Sequence, residues 1–244
     1  MTGSFTVVIP ARLASTRLPG KVLLDIAGKP LLQHVYSSAC GSKAGKILIA
    51  TDSSEVFDTA VSFGADCIMT SPDHSSGTDR LAEAVTILDL ADDAVVVNLQ
   101  GDEFGMPPQL IDQVAGMLLE NPTVPMATLC EPLRESSDIT NPNIVKVVFD
   151  DNNRAMYFSR APIPWNNKGT VTGCFRHIGI YAYRAGFISE FSRMPKCRLE
   201  QSESLEQLRA LYNGVIILVN EACMPSGLGI DTEEDLNLAR KRFA

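Results

Sequence analysis

The chain has 244 residues, 45% of them hydrophobic and 20% charged, which excludes the disordered class and, at roughly 150 residues per domain, allows one large domain or two small ones. With 21 Lys and Arg against 29 Asp and Glu, the formal net charge of −8 argues against a polymeric nucleic acid as partner, because such binders displace phosphate counterions with clustered cations. A small anionic substrate stays admissible, since local charge decides its binding.

The six cysteines (Cys40, Cys67, Cys130, Cys174, Cys197, Cys223) are dispersed without a C-x-x-C pair, and a chain of this length folds without covalent staples. Free thiols in a reducing compartment are expected, with a bridged secreted protein as the alternative. Residues 1–4 lack a basic lead, the apolar run 5–10 is short for a signal sequence, and no stretch reaches the 18 or so uninterrupted apolar residues of a membrane span. A cytoplasmic protein is expected.

In chain order, apolar runs at 5–10, Lys46–Thr51 and 94–100 read as buried strands covered on both faces. Between and after them, Leu31, Leu32, Val35, Tyr36 and Ala39, then Leu81, Val85 and Leu88, then Leu110, Val114 and Leu118 recur at helical spacing. This alternation predicts βαβ units and a mostly parallel sheet. From about residue 120 the pattern turns strand-rich, with strands expected at 126–131, 144–150, 155–160 and 176–183 and a turn at Asp151, Asn152 and Asn153 joining a hairpin. The loop 166–173 is polar. A helix over 202–212, a strand over 215–219 and a last helix from Thr232, capped by Asp231 or Thr232, complete one α/β domain with a β-rich insertion.

Arg12, Arg17 and Lys21 are the only charged residues among the first 24, in a segment running from Pro10 to Lys21 directly after the first strand. Cations at the C-terminal end of a parallel strand suit a polyphosphate, and a solvated basic loop is the alternative. The spacing matches neither a Walker A loop nor G-x-G-x-x-G. Gln100-Gly101-Asp102-Glu103 places a carboxylate at a strand end, the geometry for Mg²⁺, although Asp is also a common turn residue there. Asp231 is a second ligand or a helix cap.

The stretch from Pro10 to Lys21, His74 to Arg80 (H-S-S-G-T-D-R), N-L-Q-G-D-E at 98–103, Y-F-S-R from Tyr157, R-H-I-G-I-Y from Arg176, L-E-Q-L-R from Leu205 and G-I-D-T from Gly229 occur in an order that resembles the 3-deoxy-manno-octulosonate (Kdo) cytidylyltransferase family over nearly the whole chain. The resemblance implies a nucleotidyltransferase-type three-layer α/β fold in one domain, with a nucleotide-binding part at about 1–120, a sugar-binding and dimerisation part at about 121–220, and a metal motif and helix at 221–244. It implies coupling of CTP to Kdo by a homodimer with Mg²⁺, for lipopolysaccharide synthesis. Pro10, Ala11, Arg12, Ser15, Arg17 and Lys21 match the triphosphate loop; Ser76, Gly77, Asp79 and Arg80 match the cytidine segment; Gln100 lies at the nucleotide–sugar boundary. Asp102 and Asp231 match the metal pair, acting with Arg17 and Lys21 in catalysis. Ser159, Arg160, His177, Tyr181, Glu206 and Gln207 match the sugar side, with Arg160 and His177 facing the sugar acid and Glu206 and Gln207 its hydroxyls.

Three departures stand out. Phe104-Gly105 replaces the family's Pro after G-D-E, the 166–173 loop is short, and Glu233 stands where a Pro is common. The first two motivate an 8-amino variant of Kdo as an alternative sugar, and a catalytically inactive nucleotide-binding protein is the alternative of a different class. Read without the resemblance, His177 is a surface residue, Glu206 a solvated helix position, His34 structural, His74 undecided and Trp165 a packing residue.

Overall fold

The computed structural model describes residues 4–14, 18–74, 76–165 and 172–241. In chain order the strands are β1 Phe5–Ala11, β2 Asp25–Ile26, β3 Lys29–Pro30, β4 Lys46–Thr51, β5 Cys67–Met69, β6 Val95–Asn98, β7 Glu103–Phe104, β8 Met126–Pro132, β9 Lys146–Phe149, β10 Ala155–Ser159, β11 Phe175–Arg184, β12 Ile217–Glu221 and β13 Leu228–Gly229. The helices are α1 Leu31–Cys40, α2 Ser54–Ser62, α3 Gly77–Ile87, α4 Pro108–Glu120, α5 Ser136–Thr140, α6 Ala185–Phe191, α7 Arg198–Glu203, α8 Gln207–Tyr212 and α9 Glu233–Lys241.

One sheet runs β10-β9-β11-β6-β1-β4-β5, with β6, β1, β4 and β5 parallel and β11 antiparallel to β6. Side chains alternate across it, as a period of two requires. Phe5, Val7 and Ile9 of β1 pack with α1 and α4, while Val8 packs with α3 and α6 on the opposite face. Helices on both sides explain the unbroken apolar runs of β1 and β6.

Strand β11 joins the two halves. Tyr181–Arg184 pairs with β6, Phe175 and Arg176 pair with β9, and its other edge carries β8, which in turn pairs in parallel with β12. The β-rich insertion is therefore continuous with the central sheet.

The expected hairpin is present, with Asn153 at φ 59° between β9 and β10. The helix expected over 202–212 is two helices, because Ser204 adopts φ 52° and ends α7 before α8 starts at Gln207. Helices α2, α5 and α6 and strands β2, β3, β5, β7 and β13 lie outside the expected set. Trp165 is 87% exposed, so it is not a packing residue. The described cysteines are all free thiols, and no helix among the described residues is long and apolar enough to cross a membrane.

Candidate active site

The site forms where the C-terminal ends of β1 and β6 press together. Gly101 N–H donates to Pro10 O at 3.3 Å, and a Cβ at Gly101 would lie 3.0 Å from that carbonyl, so a side chain here would push the strands apart. After β1, Gly20 takes φ 66° and turns the chain into the short helical turn Lys21–Leu23, which aims Lys21 back at the strand ends. The ribbon β7–β13, with Ile230 N–H on Asp102 O at 2.9 Å, delivers Asp231 beside Asp102. Thr232 supplies the cap of α9 by accepting from Asp235 N–H at 3.2 Å, which leaves the Asp231 carboxylate to the site.

Lys21 Nζ donates to Asp102 Oδ2 and, at 2.9 Å, to Asp231 Oδ1. Burial opposes its charge, but the charge and hydrogen bonds of Asp102 and then Asp231 outweigh it and raise the pKa. Two carboxylates from distant segments thus converge on one positive charge. This is a fitting donor set for Mg²⁺, which takes one or two protein carboxylates and completes its shell with water and phosphate oxygens. No cluster of three or more acidic, His or Cys side chains exists among the described residues to form a closed metal cage.

Glu103 was absent from the expected site. Burial, reinforced by the charge of Asp102, pushes its carboxyl up to about 7 against the opposing pull of Arg176. Its Oε1 sits close enough to β11 that a Cβ at Gly179 would lie 3.0 Å from it. The G-D-E tripeptide carried the signal, a third carboxyl next to the expected ligand. Since the folded state holds this proton above the unfolded value of about 4.5, its contribution to stability is full below that value and lost as pH rises through 7. In metal-free protein, Glu103→Gln is expected to gain on the order of 1 kcal/mol at pH 8, roughly 2–4 °C in Tm, and nothing at pH 4. A thermal melt at the two pH values checks this; equal shifts at both would refute it.

A cleft of about 280 Å³ opens over these groups, and its lining includes Pro10, Ala11, Arg12, Lys21, Ser76, Gly77, Arg80, Gln100, Asp102 and Asp231. Ser15 and Arg17 lie outside the described residues. Ser76 caps α3 in a reciprocal box with Asp79, so Asp79 is occupied in holding the helix start. Gly77 presses on the Gln100 amide, which a Cβ would approach to 3.3 Å. Arg80 is buried on Asp52 at 2.6 Å and on Thr70, forming the cleft wall rather than reaching into it. His74 also lines the cleft, with Nε2 on Glu83 at 2.5 Å. His34 is structural, its Nε2 on Ile26 O at 2.8 Å and its ring edge-on to Phe104.

The expected sugar-side residues come from β10, β11 and α8. Glu206 lies on Thr78 Oγ1 at 2.5 Å, on Ser76 Oγ at 3.3 Å and on Arg209 at 3.2 Å, so it bridges to the nucleotide side and is no solvated helix position. Gln207 is buried beside it in α8. Ser159 Oγ donates to Glu203 at 2.6 Å, and Arg160 Nε donates to Glu203 O at 2.8 Å. Tyr181 OH and Asn98 Oδ1, opposite each other in the β11–β6 pairing, are buried with no hydrogen-bond partner among the described residues, which leaves both atoms open to a water or a ligand.

His177 is neither a surface residue nor the charged partner expected for the sugar acid. Burial pushes its imidazole down to about 3, so it is neutral at neutral pH and brings no charge to a carboxylate. Thr128 Oγ1 contacts the carbonyls of Ile178 and Ile180 at the register shift of β11 and spends its single hydrogen on one of them. His177 Nε2, 3.0 Å from that oxygen, is then the donor, and Nδ1 is left as an acceptor suited to a hydroxyl.

Phe104 also differs from expectation. It is 3% exposed in the main core, edge-on to His34, and does not face a sugar pocket. Its departure from the family pattern therefore gives no ground for an amino-sugar.

An open α/β sheet with cations after the first strand and a carboxylate pair across the cleft defines a nucleotidyl-transferring enzyme. Comparison of the fold agrees: it superposes with a TM-score of 0.92 on a CMP:2-keto-3-deoxy-manno-octonic acid synthetase complexed with CTP, at 39% identity over 99% of this chain and 98% of that one. A 4-diphosphocytidyl-2C-methyl-D-erythritol synthase shares the fold alone, with a TM-score of 0.66 at 10% identity over the full length of both chains. The cytidylyltransferase family model matches residues 6–220. The 3-deoxy-manno-octulosonate cytidylyltransferase of Francisella philomiragia is 52% identical over 97% of each chain, and that of Marinobacter nauticus 53% identical over 96% of this chain and 94% of its own. The chain belongs to the 3-deoxy-manno-octulosonate cytidylyltransferase family.

Proposed function

We propose that this chain transfers the cytidylyl group of CTP to Kdo, releasing CMP-Kdo and pyrophosphate, as a step in lipopolysaccharide synthesis. The observation that carries the reading is the convergence of Lys21, Asp102 and Asp231 at the mouth of a cleft whose far wall is the α3 N-terminus. A sugar hydroxyl oxygen attacks the α-phosphorus in line, the bond from that phosphorus to the β-bridging oxygen breaks, and the hydroxyl proton is released. The protein's task in such a transfer is positioning and charge neutralisation. Lys21 and Arg12 neutralise the triphosphate, and Gly77 lets the backbone approach the nucleotide beside Gln100. Asp102 and Asp231 would hold Mg²⁺, which when bound supplies Lewis-acid neutralisation of the phosphates and lowers the pKa of the sugar hydroxyl.

On the sugar side, Arg160 keeps Nη2 without a partner among the described residues and is the group for the sugar carboxylate. The neutral His177, the orphaned Tyr181 hydroxyl, Glu206 and Gln207 serve its hydroxyls. The reading includes a cytoplasmic homodimer. Purified protein given CTP, Mg²⁺ and Kdo is expected to release pyrophosphate, and to stop when a chelator is added. CTP binding without pyrophosphate release would instead support the inactive nucleotide-binding alternative.

A further inference from the structure

Lys146 has no part in the reaction as described, yet it is fully buried in β9, between β10 and β11. A lysine inside the apolar run Val145 to Val148 is costly to bury unless its ammonium is satisfied. Here all three donors find carbonyls: Asn141 O at 2.9 Å, Ile144 O at 2.6 Å and Arg160 O at 2.6 Å. Burial, then the neighbouring charge of Arg160, pushes its pKa down, with Glu203 opposing. Among the described residues its ammonium donates to carbonyls and to no carboxylate, so Lys146 acts through its donors.

Those donors tie together what the sugar needs. The turn from Asn141 to Ile144 is pinned by Lys146 at both ends and by Arg160 Nη1 on Pro142 O at 2.8 Å in the middle. The same lysine fixes the Arg160 backbone, whose N–H is held by Glu203 at 2.9 Å. In the sheet, Lys146 pairs with Ser159 on one side and Arg176 on the other, and its neighbour Val145 accepts from His177 N–H at 2.8 Å. Ser159, Arg160 and His177 are thus all referenced to one two-residue segment.

We infer that Lys146 is a positioning residue for the sugar acid, a buried three-point anchor that sets Arg160 against its carboxylate without touching the substrate. The inference rests on the proposed Kdo transfer. A positioning group for one substrate changes that substrate's apparent affinity and leaves the other's alone, a pattern that general destabilisation does not produce.

The test is steady-state pyrophosphate release by wild type, Lys146→Met and Lys146→Arg, varying Kdo and CTP separately, with calorimetric CTP binding as the measure of an intact nucleotide half. In Lys146→Met the KM for Kdo is expected to rise tenfold or more, while the KM and affinity for CTP stay within twofold. Lys146→Arg, a bulkier donor unable to reproduce the three-carbonyl geometry, is expected to show the same split at smaller size and serves alone if the Met variant does not fold. An unchanged KM for Kdo, or equal losses toward both substrates, would overturn the anchor while leaving Kdo transfer standing. Wild type that binds CTP yet releases no pyrophosphate with Kdo would remove the parent reading and the anchor with it.

Discussion

Asp102→Asn is expected to lower turnover by at least about 10²–10³-fold, the scale on which single preorganised electrostatic groups act. The amide keeps the side chain's shape, and the Asp102 carbonyl still receives Ile230 N–H, so the junction of β7 and β13 persists. What disappears is one of the two carboxylates that accept from Lys21 among the described residues, and with it the charge that would hold a divalent ion against the triphosphate. Stability is expected to change little, because loss of the Lys21 pair is offset by relief of repulsion toward Asp231 and Glu103. Pyrophosphate release by a variant whose melting curve matches wild type checks both halves of the statement. Full activity would mean that Asp102 does not act at the reacting phosphate.

The second large effect is on stability. Arg209 lies at 4% side-chain exposure, forked onto Glu200 through Nε at 2.8 Å and Nη2 at 2.6 Å. Its Nη1 reaches Phe191 O at 3.2 Å and Met194 O at 3.3 Å, and its guanidinium lies 4.9 Å over the Phe191 ring. Arg209→Met leaves a buried carboxylate and two carbonyls unpaired, which costs about 3–5 kcal/mol when one partner of such a pair is removed. At roughly 2–4 °C per kcal/mol for a chain of this size, Tm should fall by on the order of 10 °C. Glu206 also loses its cation, so the surviving protein should show a raised KM for Kdo. Adding Glu200→Gln to Arg209→Met should recover part of the loss, since the uncompensated charge is gone. A fall of under about 1 kcal/mol in the single variant would show that the fork contributes little.

The strands of the central sheet were readable because both of their faces are buried and their apolar runs are unbroken: Lys46–Thr51 matches residue for residue, and β1 extends one residue past expectation to Ala11. Helix α2 escaped notice since its buried residues reduce to Val56 and Ala60, too sparse a stripe to announce a period. Ser204 broke an expected helix by taking a left-handed backbone at the end of α7, a conformation that sequence signals through glycine and that a serine there does not announce. At the site, Lys21 stood out as one of three cations in an otherwise uncharged segment and Asp102 as a carboxylate at a strand end, whereas Asp231, in the acidic run Asp231 to Asp235, read equally as a helix cap and took its metal role from the family resemblance. Their meeting depends on a two-residue ribbon, Glu103–Phe104 with Leu228–Gly229, which has no periodicity to read. Lys146, Glu103 and Arg209 take their importance from burial, and burial of a charged residue is visible only once the fold surrounds it.

The way β11 enters the sheet bears on how the protein is made. During synthesis β1, β4 and β6 emerge first and can pair, but the backbone N–H and C=O groups on the far edge of β6, Val95–Asn98, have no strand partner until residues 181–184 arrive. An unpaired strand edge in an apolar strand is a template for pairing with other chains. A ribosome-bound fragment ending near residue 120 is accordingly adhesive rather than a finished nucleotide-binding module. The late strand that closes the edge also carries His177 and Tyr181, so the step that makes the nascent chain safe from aggregation is the same step that completes its second substrate wall.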